Sequence, residues 1–211
     1  MYYFKDNEHA SMKKTVGLVF FIFASLLIAG CSANGTSEGG GTEAEESVDK
    51  NEQAIRTVIE KEFNGPDEKY NELWDAMGEA QVSEKYVDDY DAFLESREYQ
   101  DLMSYMEETY ASYFTENGYE TFKNTSAFMY SGFDHDYNLT PSAIEIVQNE
   151  NEATLYDITF QVAYTDEDGE SSQFNFEGEA ITPEEGKIGK IEYLDGYEDG
   201  LRQALVNDEE K

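Results

Sequence analysis

Residues 153–165 read Ala153-Thr154-Leu155-Tyr156-Asp157-Ile158-Thr159-Phe160-Gln161-Val162-Ala163-Tyr164-Thr165. Tyr156, Ile158, Phe160, Val162 and Tyr164 alternate with more polar neighbours, the period of a strand buried on one face. Asp166-Glu167-Asp168-Gly169 follows as a turn, and the next strand places Phe174 and Phe176 on one face. Thr182-Pro183-Glu184-Glu185-Gly186 turns again into a strand over 187–194. Strands joined by connections this short pair antiparallel. Upstream of the decisive strand, 143–148 reads as a second strand and 122–130 as a first.

Further towards the N-terminus the period changes to one near 3.6. Ile55, Val58, Ile59 and Phe63 have helical spacing, and Asn64-Gly65-Pro66-Asp67-Glu68 stops that helix and starts another, with Pro66 at a first helical position. Tyr70, Leu73, Trp74 and Met77 continue at i, i+3, i+4, i+7. Ser83 is placed to cap a third helix carrying Tyr86, Tyr90, Phe93 and Leu94. A fourth, from about Glu98 to Thr115, has Tyr99, Leu102, Met103, Met106, Tyr110, Tyr113 and Phe114 on its stripe and ends at Asn117-Gly118. A short helix over 201–206 closes the pattern. Helices first and an antiparallel meander afterwards make an α+β domain over 51–206, with 207–211 an acidic tail.

The start of the chain has another character. Lys13 and Lys14 precede an uncharged apolar run from Val16 to Gly30, about fifteen residues and short of the ~18–20 that a spanning helix needs. A basic start, an apolar middle and small residues at the end make a secretory signal over 1–30. Ile28-Ala29-Gly30-Cys31 resembles the lipobox of bacterial lipoproteins of Gram-positive type. That resemblance implies cleavage between Gly30 and Cys31, a diacylglycerol on the Cys31 thiol, and residence on the extracytoplasmic face of the cytoplasmic membrane. Residues 1–11 have no place in such a signal, so Met12 is the expected initiator. Residues 31–50, with Gly39-Gly40-Gly41 and Glu43, Glu45, Glu46 and Asp49, hold almost nothing that could be buried. They read as a disordered acidic tether, reaching about 25 Å on average.

Charge and counting exclude several functions. The 211 residues carry 14 Lys+Arg against 47 Asp+Glu, a formal net charge of −33. Such a chain repels phosphate backbones, so no nucleic-acid partner is expected. One cysteine makes neither an internal disulfide nor a Cys-based zinc site. There is no phosphate-cradling Gly-x-x-x-x-Gly-Lys-Ser/Thr or His-Glu-x-x-His, and the Gly-x-Ser-x-Gly string at Gly35–Gly39 falls in the polar stretch after Cys31, with no apolar strand before it to make an elbow. No cofactor or metal is implied, and oligomeric state is not written in the pattern.

The order of elements over 51–206 resembles the NTF2-like, cone-shaped α+β superfamily, and within it the uncharacterised acidic lipoproteins of Gram-positive bacteria. The resemblance implies helices covering the concave face of a curved sheet, with a cavity between them. It points to a non-enzymatic domain binding an envelope protein or small ligand. An alternative is acid–base chemistry, since enzymes of that superfamily use Tyr and Asp in the cavity. Asp157 could be such a base, but its alternation with Tyr156 and Ile158 puts it on the solvated face. Asp134-His135-Asp136, flanked by Tyr130 and Tyr137, is the one cluster with acid/base or ligand potential; its plain reading is a polar connection. Glu84, Asp88, Asp91 and Glu95 recur at i, i+4, i+7, i+11, which would line four carboxylates along the third helix for a cation or cationic peptide. Their plain reading is a solvated face. Asp166–Gly169 lacks the ligands of a calcium loop and reads as a hairpin turn.

Overall fold

Side-chain caps decide where each helix begins. The computed structural model describes residues 49–193 and 200–209, all within one compact unit; the signal, Gly30, Cys31 and most of the tether lie outside them. Helix α1 (Lys50–Glu62) starts at Asp49, whose carboxylate accepts from the N–H groups of Asn51 and Glu52. It buries Ala54, Ile55, Val58, Ile59 and Glu62 along one face. Helix α2 (Glu68–Gln81) is capped by Asp67, which accepts from Tyr70 N–H at 2.9 Å. Pro66 therefore precedes the cap instead of opening the helix.

The third helix is shorter than its sequence stripe. The hydroxyl and N–H of Ser83 both donate back to the Ala80 carbonyl, residues 83–88 form turns, and α3 (Tyr90–Leu94) starts only at the Asp89 cap. Helix α4 (Arg97–Tyr110) is capped by Ser96 and runs into a 3-10 turn over Ala111–Tyr113. The expected strand over 122–130 is instead helix and turn. Thr115 caps a new helix, α5 (Glu116–Thr125), that contains Asn117 and Gly118. Gly118 is a close-approach residue and not a terminator, because a Cβ there would meet the Ile188 carbonyl oxygen at 2.5 Å. Phe122 packs on Phe114 and Tyr110, with ring centroids at 4.6 and 5.1 Å.

The sheet is an antiparallel meander of β1 (Asn138–Gln148), β2 (Leu155–Thr165), β3 (Ser171–Ile181) and β4 (Lys190–Tyr193), in that spatial order. Strand β1 starts five residues before its sequence pattern does. A register shift between Ser142 and Glu145, with Ala143 at φ +50°, breaks the alternation and conceals the first half. Tyr156, Ile158, Phe160, Val162 and Tyr164 are buried as their period demands, and Phe160 sits opposite Phe176. Helix α6 (Gly200–Glu209) adds Leu201 and Leu205 to the same core, and the Tyr164 hydroxyl donates to Asp208. It reaches three residues past the expected domain boundary at 206. No helix among the described residues is long and apolar enough to cross a membrane.

Candidate functional site

The helical period carries Glu62 into the interior. It follows Ile55, Val58 and Ile59 by seven, four and three residues on the buried face of α1, and it is fully buried. Its partners come from the turn after α5. There Phe128 adopts a left-handed φ of +60°, and the N–H groups of Phe128 and Tyr130 converge on the carboxylate at 2.9 and 3.1 Å. Such converging backbone amides form a concavity suited to an anion. The Tyr110 hydroxyl, from the last residue of α4, donates from another side at 3.0 Å. Burial pushes the Glu62 carboxyl from 4.5 up to about 7, while the bonds from Tyr130, Phe128 and Tyr110 pull it back towards its usual range.

Aromatic rings pack on Phe63, the next residue, and on Phe128, whose N–H binds the carboxylate. Phe63 stacks on Tyr130 at 4.4 Å and meets Phe160, Phe176 and Tyr193 edge-on at 4.8, 4.9 and 5.2 Å. Phe128 stacks on Tyr70 at 4.1 Å. The Tyr193 hydroxyl is buried with no hydrogen-bond partner, and burial, with the nearby Glu62 charge, holds it well above its ordinary value. Chemically this is a carboxyl group able to hold or release a proton near neutral pH, facing a phenol, with its bonds directed at its own chain. No sequence motif marks it. A glutamate in phase with Ile55 and Ile59 on an otherwise apolar stripe was the available signal.

The cluster at Asp134, His135 and Asp136 does not assemble as a carboxylate–imidazole pair. Both aspartates are exposed, whereas the His135 ring lies against Tyr137 at 4.7 Å and Phe133 at 6.0 Å. Both its nitrogens are buried without hydrogen bonds. Tyr137 donates instead to the Tyr130 carbonyl at 2.9 Å. Glu84, Asp88, Asp91 and Glu95 are exposed but share no helix face: the first two sit in turns, Asp91 in α3, and Glu95 at its C-terminal cap. The restart of the helix at Asp89 breaks the row. Asp157 is exposed on β2. Asp166–Gly169 is a hairpin turn, in which Asp166 accepts from Glu170 N–H and Gly169 takes φ +82°. Among the described residues, no three His, Cys, Asp or Glu side chains are grouped to hold a metal ion.

No family model and no curated protein matches the chain. A solved structure of an NTF2-like protein of unknown function from Exiguobacterium sp. 255-15 is similar at 16% identity, covering 60% of this chain and 93% of that one. Its TM-score is 0.28, too low for the likeness to bear on function. The α+β class rests on the strands and helices described above.

A second feature lies outside the core. Helices α4 and α5 border a groove of about 510 Å³. Tyr99, Met103 and Glu107 share one face of α4, and Glu116, Tyr119, Glu120 and Lys123 share one face of α5, all lining it. Phe114 and Tyr119 are buried, whereas the three glutamates are exposed.

Proposed function

We propose that this chain is an NTF2-like extracytoplasmic domain, held at the cytoplasmic membrane by a diacylglyceryl group on Cys31, that binds an envelope protein or small ligand and performs no turnover. The observation that supports this reading is the filled interior. Where an open cone would offer a ligand cavity, Tyr130, Phe160 and Phe176 interlock with Phe63, and the bonds of the neighbouring Glu62 are already made. A domain so arranged recognises partners at its surface. The two acyl chains of a diacylglycerol supply stable anchorage, which a net charge of −33 facing an anionic membrane would otherwise oppose. Cells fed a labelled fatty acid test the anchor. Wild type takes the label and sediments with membranes, and Cys31→Ser does neither; a variant still labelled and sedimenting sinks it. Cross-linking of the anchored protein in living cells tests the binding role, with a discrete adduct expected.

A catalytic reading has one observation in its favour, a carboxyl titrating near 7 opposite the Tyr110 hydroxyl. It requires the ring packing to open. Exchange of the α-protons of an added enolisable ketone, catalysed by wild type and not by Glu62→Gln, would establish it.

A further inference from the structure

The groove between α4 and α5 has a composition that selects its occupant. Its floor carries the half-buried Met103 beside the buried rings of Phe114 and Tyr119, within a lining that is otherwise mostly polar. Its exposed border carries Glu107, Glu116 and Glu120. Glu116 and Glu120 stand one helical turn apart, where like charges oppose each other until a cation intervenes.

The chain's own Lys123 demonstrates what the groove accepts. Its ammonium bonds both oxygens of Glu120 at 2.9 Å and lies over the Tyr119 ring, 5.5 Å from the centroid. That neutralises one of the three glutamates. Tyr119 has a further unmet need: it is only 8% exposed, and its hydroxyl is buried without a hydrogen-bond partner beside the fields of Glu107 and Glu120. A buried hydroxyl is normally paired, so one lining a groove marks a position for an incoming polar atom. A second copy of this chain, at −33, is an unsuitable guest.

We propose that this groove binds an extended segment of a partner protein in which lysine or arginine alternates with an apolar residue. The cations meet Glu107 and Glu116, an apolar side chain covers the half-buried Met103, and the Tyr119 hydroxyl donates to a backbone carbonyl of the segment. This rests on the binding role proposed above and names its site and partner chemistry.

The test is calorimetric titration of the full chain in detergent with a five-residue peptide of alternating lysine and leucine, at about 0.15 M salt. Replacing Glu107, Glu116 and Glu120 together by Gln should weaken binding about tenfold or more. Glu84→Gln with Asp88→Asn and Asp91→Asn removes the same charge from the exposed turns and should weaken it less than about threefold. Lys123→Gln removes the internal competitor and should tighten binding about threefold, a gain that a damaged fold could not produce. The inference is overturned by equal losses in the two triple variants, by unchanged or weaker binding in Lys123→Gln, by no binding to wild type, or by equal affinity for spermidine, which carries the charges without the apolar side chains. The groove and the wider reading fail separately. A cross-linked adduct that persists in the groove variant discards this site and leaves the binding domain standing.

Discussion

Glu62 and Glu120 carry the same carboxylate, and two regions of the molecule treat it in opposite ways. At the end of α1 the group is fully buried and accepts three hydrogen bonds from its own chain. On α5 it is exposed and pairs with a lysine one turn away. The tyrosines follow suit. The Tyr110 hydroxyl is committed to Glu62, whereas the Tyr119 hydroxyl has no partner. In the interior the Glu62 carboxylate holds helices α1 and α4 to the turn at 128–130, whereas in the groove Lys123 pairs with Glu120 and the Tyr119 hydroxyl is left without a bond. Anchoring and recognition therefore fall to different carboxylates.

The hardest blow to this contrast would come from Glu62→Ala. It strands two backbone N–H groups and a phenol in a dry core, so unfolding free energy should fall by about 3–5 kcal/mol, read from denaturant midpoints. Glu107→Gln should leave the same midpoint within about 0.5 kcal/mol. Comparable losses in the two variants would erase the distinction between the regions.

Proton linkage probes the interior next. With the folded carboxyl raised to about 7 from 4.5, the native state retains a proton that the unfolded chain releases between those values. Stability therefore declines as pH rises across that window, by on the order of 3 kcal/mol, and levels off above it. Glu62→Gln should remove this contribution to the slope at a cost of about 1–3 kcal/mol, because its amide turns N–H groups towards backbone donors. An identical slope in the variant would place the titration elsewhere.

Smaller effects mark the edges of the polar interior. Tyr105 on α4 donates to both oxygens of Asp67, the cap of α2, at 2.9 Å, and Tyr105→Phe should cost about 1.5–2 kcal/mol. Tyr193→Phe removes a hydroxyl that is buried without a partner and should be neutral or stabilising by up to about 1 kcal/mol. A clear loss there would reveal a bond to the Glu62 carboxylate region that the geometry does not contain.

How far each element was legible depended on whether its signal was local. Strand β2 and the α1 stripe could be read because burial on one face imposes a period on nearby residues. The apolar stripe of the fourth helix continues in sequence beyond Tyr110, and Asn117-Gly118 imitates its end, because a glycine needed for clearance from Ile188 looks like one that stops a helix. Residues 122–130 resemble a strand in sequence because Phe122, Phe128 and Tyr130 are buried by a helix and a strained turn whose spacing imitates alternation. The row from Glu84 to Glu95 has perfect helical spacing, but Asp89 offers a stronger local start and the chain takes it.

The sequence alone determined the α+β class and the placing of the sheet after the helices. It also supplied the charge that argues against nucleic acid and the Ile28–Cys31 pattern that motivates the anchor. All of these are written in composition, in short motifs or in the period of adjacent side chains. Only tertiary structure decided that Glu62 is the polar centre of the core, that His135 stands apart from its neighbouring aspartates, and that α4 and α5 leave a groove between them. The physical reason is range. A carboxylate's role depends on which donors the fold brings to it, and those at Tyr110, Phe128 and Tyr130 lie 48, 66 and 68 residues away along the chain.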